Sequence, residues 1–213
     1  MTALISYLLG SIPSGFLIAK ARGLDIRAAG SGNIGATNVV RQLGIGSGVL
    51  VLLADLFKGL IAVAVVSHLF WHWLAPADST FQVGLEITAG IAAILGHNFT
   101  CWLHFKGGKG IATSAGVLLG LVPLSLLIIL CVWAIVFAVS RYVSLASICA
   151  SLVLPFATWL TGRSTVLIVA TSAMTALAVF QHRSNIQRLL KGTESRFGSA
   201  KELSRPVESG SKP

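Results

Sequence analysis

Long apolar stretches dominate the chain, and short polar stretches separate them. The apolar stretches lie near residues 3–20, 48–70, 83–103, 112–139, 142–161 and 164–181. Most of them are long enough to cross a hydrocarbon core of about 30 Å as helices. Their sequences lack the strict alternation that a transmembrane strand requires. The pattern therefore predicts an all-α polytopic membrane protein.

The stretch 112–139 is longer than a typical span and contains Pro123 near its middle. Proline interrupts the hydrogen-bond ladder of a helix. We therefore expect two helices, near 111–121 and 124–139, with a single tilted and kinked helix as the alternative. The division brings the expected number of transmembrane segments to seven.

Composition excludes an ordinary soluble domain, because 54% of the 213 residues are hydrophobic and only 11% are charged. Sixteen Lys and Arg against seven Asp and Glu give a net charge of +9. The basic residues concentrate between the first two spans, in the loop 104–110 and after Arg183, whereas the loop 71–82 has none. The positive-inside rule then predicts an external N-terminus and a cytoplasmic C-terminus. Because the charge follows topology, no nucleic-acid partner is expected.

The sequence predicts one membrane-embedded domain, residues 1–195, and a cytoplasmic tail, residues 196–213. The tail is rich in Gly, Ser, Lys and Glu and nearly lacks apolar residues. Such a composition does not bury enough apolar surface to fold. We therefore expect the tail to be disordered and to carry no chemistry.

Five further side chains in or beside apolar stretches are interpreted as structural. Cys101, Cys131 and Cys149 have the setting of small buried hydrophobic residues rather than of a disulfide framework or metal cluster. Asp55 and Lys58 are three residues apart in the second stretch, so a helix would place them together. Intramembrane charges usually pair or act in function. An ion pair near the inner surface is favoured, with a catalytic role as the alternative.

The segment "HFKGGKGIATSAG" begins as a loop of glycines and lysines and continues into an apolar stretch. If a helix starts there, the amides of Gly107, Gly108, Lys109 and Gly110 would favour a phosphate. A flexible connector with membrane-flanking lysines is the alternative. The loop does not match a Walker A motif, because Leu103 replaces the first glycine and Gly110 follows the lysine. A nucleoside triphosphatase is therefore disfavoured.

Two more polar segments carry groups that bind oxyanions. "GSGNIGATNVVRQLG", residues 30–44, combines glycines with short hydrogen-bonding side chains and ends near Arg41, a bidentate partner for phosphate. A glycine- and asparagine-rich turn with a topology-determining arginine is the alternative.

The third segment, "FQHRSNIQRLLKGTE", spans residues 180–194. His182 and Asn185 share one helix face there, between Arg183 and Arg188. A capping or interface histidine is the alternative. Together, the three segments predict a cytoplasmic pocket for an anionic substrate with more than one phosphate group.

Within and beside these segments stand "GSGNIGATN", "GHNFTCWLHFKGGKGIATSAG" and "HRSNIQRLLKGTE", in this order and preceded by "GSIPSG" at residues 10–15. These motifs resemble those of the bacterial acyl-phosphate-dependent glycerol-3-phosphate acyltransferases. The resemblance covers residues from about 4 to 198. It implies transfer of a fatty acyl group from acyl phosphate to the 1-hydroxyl of glycerol 3-phosphate, giving lysophosphatidic acid and phosphate. This is the first acylation step of phospholipid synthesis.

The family resemblance also has implications for location and partners. It implies seven membrane helices, an external N-terminus and an active site on the cytoplasmic face of the bacterial inner membrane. The expected partners are the two substrates and membrane lipid. No cofactor, metal, nucleotide or obligate protein partner is implied.

The resemblance assigns roles to individual residues. Catalytic residues would be Ser31, Lys109, His182 and Asn185. Glycerol 3-phosphate would be bound by Ser31, Arg41, Lys109, Ser147, His182 and Asn185, and acyl phosphate by Asn33, Gly35, Thr37, Asn38, Gly107, Gly108 and Lys109. The family segment that resembles "RYVSLASI" supplies one serine, and Ser147 is preferred over Ser144. Either His182 or the phosphate of the donor would take the proton.

Two other classes of protein compete with this interpretation. A small transporter of phosphorylated metabolites would use the same loops as a gate, but the basic motifs lie on one side and no inverted repeat is evident. A scaffold that binds anionic lipid through its basic tail would leave both glycine-rich loops unexplained.

Overall fold

The computed structural model describes residues 1–74 and 79–198, and helices joined by short loops form this part of the chain. The helices are α1 (Thr2–Ser11), α2 (Ser14–Ala21), α3 (Ala36–Leu43), α4 (Ile45–Ile61), α5 (Ser67–Leu74), α6 (Ser79–Asn98), α7 (Ile111–Leu121), α8 (Pro123–Ser140), α9 (Val143–Leu160), α10 (Thr165–Gln181) and α11 (Arg183–Leu190). A π-helical turn, Ala62–Val66, joins α4 to α5, and a 3₁₀ turn, Cys101–Leu103, follows α6. Within the described ranges no strand occurs, so the all-α prediction is confirmed.

The predicted break at Pro123 is confirmed. Helix α7 ends at Leu121 and α8 begins at Pro123, the first helical position, where the missing N–H of proline costs no hydrogen bond. The start of α7 and the residues just after α8 lie at the same end of the protein, since Lys109 and Ser144 both approach Glu194. The two helices therefore run in opposite directions, and the alternative of one kinked helix is wrong.

Four stretches are long and apolar enough to cross a membrane: Thr2–Ala21, Ile45–Leu74, Pro123–Ser140 and Val143–Leu160. The bent pair α10–α11 provides a fifth if it is counted as one span, and α7 is a shorter apolar helix. The chain is thus an integral membrane protein with several apolar helices. Seven crossings and their orientation stay predictions. The centre of the loop 71–82 and the tail beyond residue 198 lie outside the described residues.

Glycines allow the central helices to approach closely. A Cβ atom at Gly116 of α7 would collide with the carbonyl of Leu56, and one at Gly59 of α4 would collide with the carbonyl of Thr113. The backbones of α4 and α7 are therefore in direct contact, as small residues permit in membrane bundles. This contact matters for the site, because α7 begins directly after the loop 104–110.

The largest apolar core lies among α6 to α10, where it includes Val117, Leu126, Leu154 and Met174. Only 17% of helix α8 is buried inside the protein, so most of its surface faces outward. An apolar outer face with a packed inner face is what a lipid surrounding requires, because lipid does not penalise exposed apolar side chains.

The expectation that all three cysteines are buried is wrong. Cys101 and Cys131 are exposed and Cys149 is half-buried, and all three are free thiols. The reason for Cys131 is that it lies on α8, whose apolar surface is mostly directed outward. The apolar sequence around this cysteine marks contact with lipid rather than with the protein core.

The close contact between α4 and α7 makes a stability prediction. Gly116→Ala places a methyl group against the backbone of α4, and we expect this overpacking to lower the melting temperature in detergent by roughly 5 °C or more. Gly84→Ala is the matched control, because Gly84 lies in α6 with open space around its Cα. An unchanged melting temperature for Gly116→Ala would contradict the direct backbone contact.

Candidate active site

The three polar segments identified from the sequence lie together at one end of the helix bundle. Arg41, from the first segment, donates from Nη2 to the carbonyl of Ser195 at 3.2 Å, just beyond the third segment. The ammonium group of Lys109, from the second segment, experiences the charges of Arg41, Arg188 and Glu194. Residues separated by about 150 positions along the chain thus share one polar site.

Two asparagine side chains hold the backbone of the first segment through hydrogen bonds. Asn38 is buried, its Oδ1 accepts from the amide of Ser31 at 3.1 Å, and the two hydrogens of its Nδ2 are shared among three backbone carbonyls between Ile26 and Asn33, at 2.9–3.3 Å. Asn33 Oδ1 accepts from the amide of Gly35 at 2.9 Å. Both asparagines therefore use side-chain groups to hold the loop, while Ser31 is exposed and Thr37 half-buried at its surface.

The second segment supplies a helix start, with one difference from the prediction. Gly110, at a φ of +79°, caps α7, which begins at Ile111. The amides of Gly107 and Gly108 donate to carbonyls at the end of α6, at 3.1 and 3.0 Å. They are therefore engaged with the backbone, contrary to expectation. The amides that a helix start leaves available to an anion are those of the first turn of α7, which begins at Ile111.

The third segment presents two hydrogen-bond acceptors. His182 lies between α10 and α11, and its Nδ1 is 2.8 Å from the carbonyl oxygen of Ala178. Because a carbonyl only accepts, Nδ1 carries the proton, and Nε2 of the neutral ring is an acceptor. Asn185 donates from Nδ2 to Glu194, whereas its buried Oδ1 has no hydrogen-bond partner among the described residues. Two acceptors suit the orientation of a substrate hydroxyl.

Glu194 connects the parts of the site. Its carboxylate accepts from Ser144, Asn185 and Arg188, each at 2.7 Å. Burial would raise the pKa of Glu194, but these three hydrogen bonds and the charge of Arg188 outweigh it and hold that pKa below its usual value. The ionised carboxylate fixes the Asn185 amide so that Nδ2 faces Glu194.

Sequence reasoning missed Glu194. The sequence did contain a sign of its importance. The chain has only seven acidic residues, and Glu194 is the one acidic residue in the basic stretch "RLLKGTESR". An isolated carboxylate among several cations marks a specific counter-ion rather than a solvated surface.

Lys109 is the most strongly perturbed cation of the site. Burial lowers its pKa to about 8, and although Glu194 acts in the opposite direction, Arg188 and Arg41 add to the lowering. Three cations around one carboxylate leave an excess of positive charge. Such a site attracts a substrate that carries two negative charges, whose phosphate would in turn stabilise the charged lysine.

The two serines of "RYVSLASI" have different surroundings. Ser144 Oγ donates to Glu194 and thus lies in the polar site. Ser147 Oγ donates to the Val143 carbonyl at 2.9 Å and accepts from Trp133 Nε1 at 3.2 Å. Ser147 therefore lies one helical turn deeper, against an aromatic ring.

An apolar cavity adjoins the polar site. Its walls come from α7, α8, α9 and α10 and include Leu118, Ile129, Trp133, Leu154 and Met174. Ser147 and Ala178 also line it, and the Ala178 carbonyl is the one that binds His182. The arrangement places an apolar compartment directly beside the hydrogen-bonding groups, as an amphipathic ligand requires.

The predicted ion pair of Asp55 and Lys58 is confirmed, with 2.8 Å between Oδ1 and Nζ. Both residues are buried, and His97 Nδ1 lies 2.9 Å from the same ammonium group. With an ammonium at its centre, this cluster does not offer a metal site. Across residues 1–74 and 79–198, no three His, Cys, Asp or Glu side chains are grouped as metal ligands.

Comparison with known proteins identifies the family. The sequence profile of "Glycerol-3-phosphate acyltransferase" matches residues 1–192. A glycerol-3-phosphate acyltransferase of Geotalea daltonii is 48% identical over 194 residues, which cover 90% of this chain and 94% of that protein. One of Geobacter sulfurreducens is 45% identical over 195 residues, covering 91% and 94% of the respective chains.

Solved structures agree. The glycerol 3-phosphate form of PlsY, an integral membrane glycerol 3-phosphate acyltransferase, superposes with a TM-score of 0.85 at 38% identity, covering 96% of this chain and 98% of that one. Its lysophosphatidic acid form gives a TM-score of 0.82 at the same identity, covering 96% and 97%. The profile, the relatives and the shared fold together place this chain in the glycerol-3-phosphate acyltransferase family.

Proposed function

We propose that this chain transfers a fatty acyl group from acyl phosphate to the 1-hydroxyl of glycerol 3-phosphate, giving lysophosphatidic acid and phosphate. The observation that carries the proposal is the cationic site next to an apolar cavity, which matches substrates with phosphate heads and one alkyl chain. The glycerol 3-phosphate and lysophosphatidic acid forms of PlsY support the choice of acceptor and product. A transporter of phosphorylated metabolites would have no use for an apolar cavity, because its substrates are polar and charged.

In this proposal, Arg41, Lys109 and Ser31 bind the phosphate of glycerol 3-phosphate. Ser144 is proposed as the serine of "RYVSLASI" that completes the polar site, in place of Ser147, because its hydroxyl contacts Glu194. Ser147 then serves the cavity, where it binds Trp133.

The acceptor hydroxyl is oriented by the two acceptors of the third segment. His182 Nε2 is unprotonated in the neutral ring, and Asn185 Oδ1 is buried without a protein partner. Either atom is able to accept the hydroxyl hydrogen and to aim its oxygen at the acyl carbon. Holding the two reactants in register is a large part of what this reaction needs.

The donor phosphate is proposed to lie against Lys109 and the start of α7, where amides and dipole favour an anion. Gly107 and Gly108 would allow the phosphate to approach the backbone, since their own amides are engaged elsewhere. Gly35, Thr37 and the loop-shaping Asn33 and Asn38 would border the same phosphate from the first segment. The alkyl chain would occupy the apolar cavity.

Acyl phosphate is a mixed anhydride and is already activated. The 1-hydroxyl oxygen attacks the acyl carbon, the bond from that carbon to the phosphate oxygen breaks, and phosphate leaves with the bonding electrons. The hydroxyl proton passes to the departing phosphate, which lies beside the reacting atoms, while His182 orients the nucleophile. Lys109 stabilises the charge that builds on the leaving group. The step needs no covalent acyl-enzyme.

We further propose that the chain lies in the bacterial inner membrane with its site facing the cytoplasm. The basic segments meet at one end of the bundle, and the positive-inside rule assigns that end to the cytoplasm. Seven crossings follow if α6, α7 and α10 each span the bilayer, with α7 short enough to require local thinning.

The donor assignment is tested with purified protein in lipid, labelled glycerol 3-phosphate and three donors: palmitoyl phosphate, palmitoyl-CoA and palmitoyl-acyl carrier protein. We expect lysophosphatidic acid from palmitoyl phosphate alone, unaffected by a chelator. Lys109→Ala should lower the rate at least roughly hundredfold, because it removes charge stabilisation of the leaving group. Activity only with a thioester donor would contradict the proposal. Arg163→Ala, an exposed change beyond α9, is the control.

The lowered pKa of Lys109 makes a pH prediction. The ammonium form is present below a pH of about 8 and is lost above it. In the free enzyme, kcat/KM should therefore fall about tenfold per pH unit above about 8, whereas bound phosphate should extend kcat to higher pH. Lys109→Arg, which stays charged, should lack this alkaline limb in whatever activity it retains. If kcat/KM of Lys109→Arg fell in the same way at alkaline pH, a group other than Lys109 would be responsible for the titration.

A further inference from the structure

A buried cluster of three ionisable residues lies beneath the loop 104–110. Lys58 of α4 forms an ion pair with Asp55, with 2.8 Å between Nζ and Oδ1. The same Nζ donates to the carbonyl of Ile12 at 3.0 Å and lies 2.9 Å from His97 Nδ1, and His97 Nδ1 is 3.5 Å from Asp55 Oδ1. The Ile12 carbonyl lies at the break between α1 and α2, so the cluster joins three helical segments.

The cluster orients the ring of His97. Its Nδ1 edge lies against both Lys58 Nζ and Asp55 Oδ1, at 2.9 and 3.5 Å. Asp55 balances the charge of Lys58 in an environment where an unpaired charge is costly. His97 is thereby held with its Nδ1 edge toward Lys58 and its Nε2 edge away from it.

That other edge touches the loop. A Cβ atom at Gly108 would collide with His97 Nε2, so the ring packs directly on the Gly108 backbone. The His97 carbonyl also accepts from the Gly108 amide at 3.0 Å, and the neighbouring Asn98 carbonyl accepts from Gly107 at 3.1 Å. His97 therefore contacts Gly108 through both its side chain and its backbone, one residue before Lys109.

We propose that Asp55, Lys58 and His97 form a positioning cluster that sets the location of Gly108, and with it the direction of Lys109 and of the amides that begin α7. The inference rests on the proposed function of this loop as the phosphate-binding element. His97 is a positioning residue, because it acts through Gly108. The glycine is required because only a hydrogen fits against the ring.

If the cluster only stabilised the fold, the losses caused by changes at His97 and Gly108 would add independently. A positioning role predicts instead that the two changes are coupled. Gly108→Ala introduces a methyl group that meets His97 Nε2, and we expect kcat/KM to fall roughly hundredfold through displacement of the loop. His97→Ala removes the ring that positions Gly108 and should lower kcat/KM roughly tenfold. In the double variant the methyl group at residue 108 no longer collides with an imidazole ring. Its activity should therefore match that of His97→Ala instead of showing the product of both losses.

The experiment measures kcat and KM for both substrates in the wild type, the two single variants and the double variant. Hydrogen–deuterium exchange over residues 105–110 and the melting temperature are recorded on the same proteins. We expect His97→Ala to speed exchange of the loop amides while helices away from the loop keep wild-type protection. His72→Ala, at an exposed histidine of α5, is the matched control and should change neither quantity. If His97→Ala does not fold, His97→Gln and Gly108→Ala provide the same comparison.

Multiplicative losses in the double variant, with loop exchange unchanged in His97→Ala, would overturn the proposal. Failure of the proposed function has a different signature. In that case the wild type shows no acyl transfer, yet His97→Ala still speeds exchange of the loop.

Discussion

The carboxylate of Glu194 is the interaction on which the polar site depends. It accepts hydrogen bonds from side chains of α9 and α11 and opposes the charge of Lys109, so it connects these two helices to the loop 104–110. Without it, three cations would repel one another in a partly buried pocket. With it, the cations are held close, and a net positive charge is left for a substrate.

A second constraint comes from the membrane. Helices that lie in lipid must satisfy their own backbone groups, so the glycine-rich loops of the site lie at an end of the bundle. Close glycine contacts pack α7 directly on α4, and His97, which adjoins Lys58, packs on Gly108 in the loop before α7. The same bundle contains the apolar cavity, whose lining includes Ala178, the residue whose carbonyl contacts His182.

The sequence predicts much of this architecture. Apolar length predicted the helices, and charge asymmetry together with Pro123 predicted the reversal between α7 and α8, because proline and topology impose local rules. The same reasoning did not foresee that the amides of Gly107 and Gly108 bind the end of α6, since that contact depends on the tertiary position of α6. It also missed Glu194 and His97. Their partners Asn185 and Lys58 lie nine and 39 residues away in the sequence, and no helical periodicity reports such pairs.

The central claim is that segments far apart in the chain form one anion site. The most direct test is calorimetric titration of glycerol 3-phosphate into the purified wild type and into Arg41→Ala, Lys109→Ala and Asn185→Ala, one variant for each segment. A single shared site predicts that each variant weakens binding by about tenfold or more, because each removes a hydrogen bond to a charged or buried group. If two of the three variants bound glycerol 3-phosphate with wild-type affinity, a shared site would be contradicted. The segment of the one weakened variant would then bind the ligand alone.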